Sequence, residues 1–153
     1  MVQEPLEPAS HETTEALEVA RNHWGVVLWH PNWRTLELKW LPTTREMTDQ
    51  GFKDTITVYA GEGERLSPRW MLIDATEFVH EFGPGTLDWR EEHIIPRYNA
   101  AGVTKFAFIM PAGFPGSVEQ SHTPGVEGAV AKFPTGWFEA RGRAYEWLAG
   151  PES

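Results

Sequence analysis

A chain of 153 residues, 41% hydrophobic and 23% charged, is long enough to bury the core of one domain, and no apolar run approaches the roughly 18 residues of a membrane span. A formal net charge of −9, with Lys and Arg scattered, excludes the basic footprint of a nucleic-acid binder. The absence of cysteine excludes disulfides, thiol catalysis and thiolate metal sites, and leaves the cytoplasm as the default compartment.

Met1 to Ser10 holds two prolines, two glutamates and no basic residue, which is not the pattern of a signal peptide. Residues 1–20 read as a mobile arm whose one apolar pattern, Ala16, Leu17, Val19 and Ala20, suits a terminal helical turn, ahead of a domain over 21–150. His23 to His30 is a strand by its β-branched and aromatic content, and Pro31-Asn32 supplies a turn. Thr35 to Leu41 then alternates, with Leu36, Leu38 and Trp40 opposite Glu37 and Lys39, so the two strands predict a β-hairpin.

After Pro42 the period changes. Thr48 can cap a helix in which Phe52, Ile56, Tyr59 and Ala60 share a face, and Gly61-Glu62-Gly63 is expected to end it. Arg69 to Thr76 and Thr104 to Met110 are short apolar runs bounded by Pro or Gly, the look of parallel strands covered on both sides. Between them, Thr86 is a plausible N-cap, Leu87, Ile94, Tyr98 and Ala101 make one helical face, Gly102 stops it, and Pro96 predicts a kink or break near Glu92. Strand, crossover helix and strand force a parallel pair.

Pro111 to Pro134 reads as one long loop, with an edge strand at Ala129 to Phe133 as its only candidate element; loops of that length are often functional. Thr135 to Ala149 closes the chain as a helix, with Trp137, Ala140, Ala144 and Leu148 on one face. The fold class expected is therefore α/β, a mixed, mostly parallel sheet with an N-terminal β-hairpin and three main helices.

This order of elements resembles the SpoIIAA-like, STAS-type domain. Leu72-Ile73-Asp74 resembles that family's central strand ending in Asp. Glu91 to Pro96 followed by Ala101 to Ile109 is similar to the helix-to-strand passage of bacterial STAS/SEC14-like proteins, and Phe133 to Phe138 with Ala144 to Leu148 resembles their closing helix. The resemblance spans residues 23 to 149. It implies one of two roles. Anti-sigma-factor antagonists are protein-interaction switches with a phosphorylatable Ser after the central strand; here the Asp-Ser motif is missing and Thr86 is the nearest hydroxyl, hence the one candidate phosphorylation site. SEC14-like relatives imply a carrier of an apolar small molecule.

Eight Trp and eight Phe suit packing or an aromatic-lined cavity. The cavity is expected between the loop Phe78 to Thr86, the helix bearing Trp89 and His93, and the long loop around Phe114. It would hold a small apolar or amphipathic, lipid-like ligand. Asp74, Arg90 or His93 would orient a polar head, and the ligand-binding candidates are Asp74, Phe78, Phe82, Trp89, Arg90, His93 and Phe114. No catalytic motif is present: Glu77 to His80 lacks the second copy a di-metal helix site needs, and Ser117, Glu119 and His122 lack the flanks of a nucleophile elbow. An enzyme would have to draw on Asp74, His80 or His93 as acid or base. No cofactor and no metal is expected, and exposed Trp near the hairpin would favour a homodimer.

Overall fold

The computed structural model describes residues 16–111, 120–122 and 131–150, the middle group as backbone only. Seven strands form one mixed sheet in the order β1-β2-β3-β4-β5-β7-β6. They are β1 (Leu17–Arg21), β2 (Gly25–His30), β3 (Thr35–Trp40), β4 (Trp70–Asp74), β5 (Lys105–Ile109), β6 (Gln120–His122) and β7 (Thr135–Phe138). The centre, β3-β4-β5-β7, is parallel; β1-β2-β3 at one side and β6 at the other are antiparallel. The fold is α/β, with the expected N-terminal hairpin of β2 and β3 paired from Gly25↔Trp40 to His30↔Thr35.

Strand parity builds two cores. Leu36, Leu38, Trp40, Met71, Ile73 and Phe106 point to one face, where they meet Phe52, Ile56 and Tyr59 of α1 (Asp49–Leu66) and Tyr98 of α3 (Ile95–Ala101). Trp70, Leu72, Ala107, Ile109 and Phe138 point to the other, onto Ala144, Tyr145 and Leu148 of α4 (Arg141–Ala149). Every residue of β4 is buried because both faces are covered.

Local signals set several boundaries. The Thr48 hydroxyl accepts from the Gly51 N–H at 3.1 Å, the N-cap expected for α1. Pro96 gives a break rather than a kink: α2 (Thr86–His93) and α3 are separate, with Ile94 between them and Pro96 in the first turn of α3, where its missing N–H costs nothing. Gly102, at φ 88°, closes α3 as expected.

Other expectations are corrected. Residues 17–21 are strand β1 rather than a helical turn, so the boundary drawn at residue 20 falls inside the sheet; residues 1–15 lie outside the described residues. Helix α1 does not stop at Gly61-Glu62-Gly63 but runs to Leu66, and Ser67 takes the left-handed C-cap at φ 49°. Gly63 is there for close approach, since a Cβ would meet Met71 Cε at 3.1 Å. The closing helix begins at Arg141, not Thr135, because Thr135–Phe138 pairs with β5 from Phe106↔Thr135 to Ile109↔Phe138. The long loop carries β6; of the edge strand expected at Ala129 to Phe133, residues 129–130 lie outside the described residues and Phe133 is a buried non-strand residue in the first core.

Lys105 of β5 ties the second face together. Its buried ammonium donates to the carbonyls of Trp147, Leu148 and Gly150 at 2.8, 3.2 and 3.1 Å, satisfying the open end of α4 from across the sheet. Lys105→Met should therefore cost about 2–3 kcal/mol in urea-melt stability, because it leaves carbonyls without a charged donor. A change below about 0.5 kcal/mol would show that water replaces the ammonium there.

Candidate functional site

A cavity of ≈ 470 Å³ lies on the first face, between the sheet and α1, α2 and α3, and its lining includes Ala75 and Met110, just past the carboxyl ends of β4 and β5. Open α/β sheets place ligands at such strand ends. Parity selects the floor: Trp40, Ile73, Phe106, Phe108 and Trp137 occupy alternating positions on β3, β4, β5 and β7. Helix residues Phe52, Ile56, Ile95 and Tyr98 form the roof, and the loop after β4 adds Ala75, Phe78 and Phe82. The volume falls within the roughly 300–1,000 Å³ of small-molecule sites. The polar side chains in the wall are few: Arg90 and Glu91 of α2, Thr135 of β7 and the phenol of Tyr98. Burial pushes the Tyr98 hydroxyl well above its ordinary value, with the Arg90 and Arg97 charges pulling the other way, so it remains a neutral phenol.

The loop bearing Phe78 and Phe82 is held at both ends. Thr44, in the 3-10 turn Pro42–Glu46, donates to the Glu77 carbonyl at 3.2 Å and accepts from the Val79 N–H at 3.1 Å. Asp49, the first residue of α1, accepts from the Thr86 hydroxyl at 2.6 Å, from His80 Nε2 at 2.7 Å and from the Gly83 N–H at 2.9 Å. The Thr86 and His80 bonds, with the Gly83 N–H, hold the Asp49 carboxyl below its usual range against the opposing effect of burial. Asp49 is thus a carboxylate at neutral pH, and its grip on the loop is present above the ordinary carboxylate pKa and lost as pH falls through the depressed value. The anchored loop sets Phe78 edge-to-face against Trp40 at 5.0 Å and Phe82 edge-to-face against Phe52 at 4.7 Å, which fixes that side of the wall.

The predicted ligand-binding residues separate. Phe78, Phe82 and Arg90 line the cavity. Trp89 and His93 sit together on α2, their rings 5.9 Å apart with Lys53 over Trp89, and neither belongs to the cavity wall. Phe114 lies outside the described residues, as do Ser117 and Glu119. Asp74 points to the opposite face, where its Oδ1 accepts from the Thr76 N–H and hydroxyl at 3.1 and 2.7 Å and its Oδ2 from Arg141 at 2.8 Å. Thr86 is buried, and its hydroxyl serves Asp49; Gly85, at φ 83°, is the cap residue of α2. Glu92 and His93 form an exposed pair at 3.9 Å.

Asp74 belongs to a cluster that sequence reasoning did not assemble. Arg141 of α4 donates to both oxygens of Glu37, at 3.2 and 2.7 Å, and also to Asp74; His30 donates to Glu37 at 2.8 Å, and Lys39 stands 3.6 Å from Asp74. Burial raises the Glu37 pKa, but the His30 and Arg141 hydrogen bonds outweigh it and bring the carboxyl down to about 2. Burial likewise pushes the Tyr145 hydroxyl, beside Arg141, up to about 12. The only available signal was that Glu37 and Lys39 alternate with apolar residues, which reads equally well as a solvated face. His30–Glu37 and His80–Asp49 are both close imidazole–carboxylate pairs, yet neither lines the cavity. Among the described residues, no group of three His, Cys, Asp or Glu can hold a metal ion, and no helix is long and apolar enough to cross a membrane.

No protein-family model, no curated protein and no solved structure matches this chain. What the site can do therefore rests on its own geometry.

Proposed function

We propose that the protein binds a small apolar or amphipathic molecule in the aromatic cavity on the α1–α2–α3 face. The observation that carries this reading is the cavity itself: some 470 Å³ walled by rings from three strands, two helices and an anchored loop. Its lining is mostly apolar and aromatic with a few polar side chains, the composition of small-molecule sites. An apolar body entering it would gain roughly 25 cal/mol for each Å² removed from water. The pre-set wall lowers the ordering cost of binding. The resemblance to SEC14-like carriers points the same way.

The test is a titration of the purified chain with the neutral twelve-carbon alcohol dodecanol, followed by tryptophan fluorescence. Trp40 and Trp137 stand in the wall, so occupancy should give a saturable change in emission and a ligand-dependent rise in Tm. A linear, non-saturating response with no shift in Tm would remove the reading.

A further inference from the structure

The wall contains a cation with no partner among the described residues. Arg90, half-buried in the last turn of α2, lines the cavity, and none of its guanidinium nitrogens hydrogen-bonds or ion-pairs with a described residue; its Nε is enclosed with no acceptor at all. Arg97, seven residues on, shows that an acceptor on α1 is within reach of this helical pair: it takes both oxygens of Glu64 at 2.7 Å. Nor does a ring compensate, because the cation–π contacts of the described residues belong to Lys53, Arg69, Lys105 and Arg141. A place near a helix C-terminus explains a positive charge there, but not an Nε enclosed without an acceptor. Withholding an acceptor from a partly desolvated guanidinium is costly, and the cost is removed when an anion arrives.

We propose that the ligand is an amphipathic monocarboxylate, its apolar body in the aromatic cavity and its carboxylate on Arg90. This rests on the cavity reading above and adds the charge and the head group. A planar guanidinium matches a carboxylate with two parallel N–H···O bonds. One arginine balances one charge. Glu91 also lines the cavity and the chain carries a net charge of −9, so a dianionic phosphate head meets more repulsion than a carboxylate does. Glu91 repels any anion, but it is exposed and its field is screened, whereas Arg90 is half-buried.

The experiment compares dodecanoate, dodecyl phosphate, dodecylamine and dodecanol on the wild-type chain, and then on Arg90→Gln and Arg90→Lys. The wild type should bind dodecanoate at least tenfold more tightly than dodecanol, with dodecyl phosphate weaker than dodecanoate and dodecylamine weakest. Arg90→Gln should remove the preference for the acid, so that dodecanoate and dodecanol bind that variant alike, and Arg90→Lys should keep part of it. Because dodecanol binding reports on the cavity alone, a folding defect in a variant appears as loss of both ligands. Equal binding of acid and alcohol by the wild type, or tighter binding of the phosphate, overturns the assignment and leaves the cavity reading standing. Binding of none of the four overturns both.

Discussion

Glu37→Gln is expected to lower stability by about 3 kcal/mol at pH 7 and to flatten the acid side of the stability profile. Glu37 is 1% exposed on β3, yet it is ionised because Arg141 and His30 surround it. Removing one partner of a buried pair typically costs about 3–5 kcal/mol, since the other charge stays behind. The lower end applies because the Arg141 side chain is 31% exposed and keeps Asp74. The pH dependence follows from the sign of the shift. A carboxyl lowered from 4.5 to about 2 on folding contributes stability that is fully present above pH 4.5 and disappears as pH falls toward 2. That window corresponds to on the order of 3 kcal/mol. Urea melts between pH 7 and pH 3 check both parts. A variant that loses less than 1 kcal/mol and keeps the wild-type acid slope would mean that another carboxylate governs acid unfolding.

Phe106→Ala should cost about 3–5 kcal/mol, the range for deleting a buried ring whose space does not collapse. Phe106 is 3% exposed on β5, with ring contacts to Tyr59, Tyr98, Phe108 and Phe133 between 5.1 and 6.4 Å. Domains are held by only about 5–15 kcal/mol, so this one ring decides a large share of the total. Phe106 is also cavity floor, so its deletion enlarges the binding space. Dodecanol should then raise the Tm of Phe106→Ala more than that of the wild type, because ligand fills the void the ring has left. A variant with near-wild-type stability in chemical denaturation would show that its neighbours close the gap.

These two residues mark where sequence reading reaches and where it stops. Phe106 was legible as core: it lies in a short apolar run bounded by glycine and proline, and such a run has few other places to go. The same kind of local evidence was enough for the β2–β3 hairpin, the Thr48 cap, the break at Pro96 and the parallel pair of β4 and β5, since periods, caps and proline geometry are set by neighbours in the chain. Glu37 was visible only as a polar alternation. Its partner Arg141 is 104 residues away, and His30, seven residues away, gives no local sign of pairing that distinguishes a buried ion from a solvated one. Thr135 to Phe138 failed for a related reason. Four residues cannot establish a period, and only pairing with β5 makes them a strand, so their helical spacing with Ala144 and Leu148 was coincidence. Phe78 and Phe82 were legible as aromatic, but their position in the cavity wall depends on Asp49, which lies 34 and 37 residues before the Gly83 and Thr86 that it holds. The sequence by itself determined which segments are apolar, where most of them start and stop, and that two of them cross over in parallel. The tertiary structure alone decided which face each side chain reaches, because a single residue of register exchanges the two faces of every strand. That choice places aromatic rings and Arg90 around an open cavity on one side, and Glu37, Asp74 and Arg141 in a closed ionic cluster on the other.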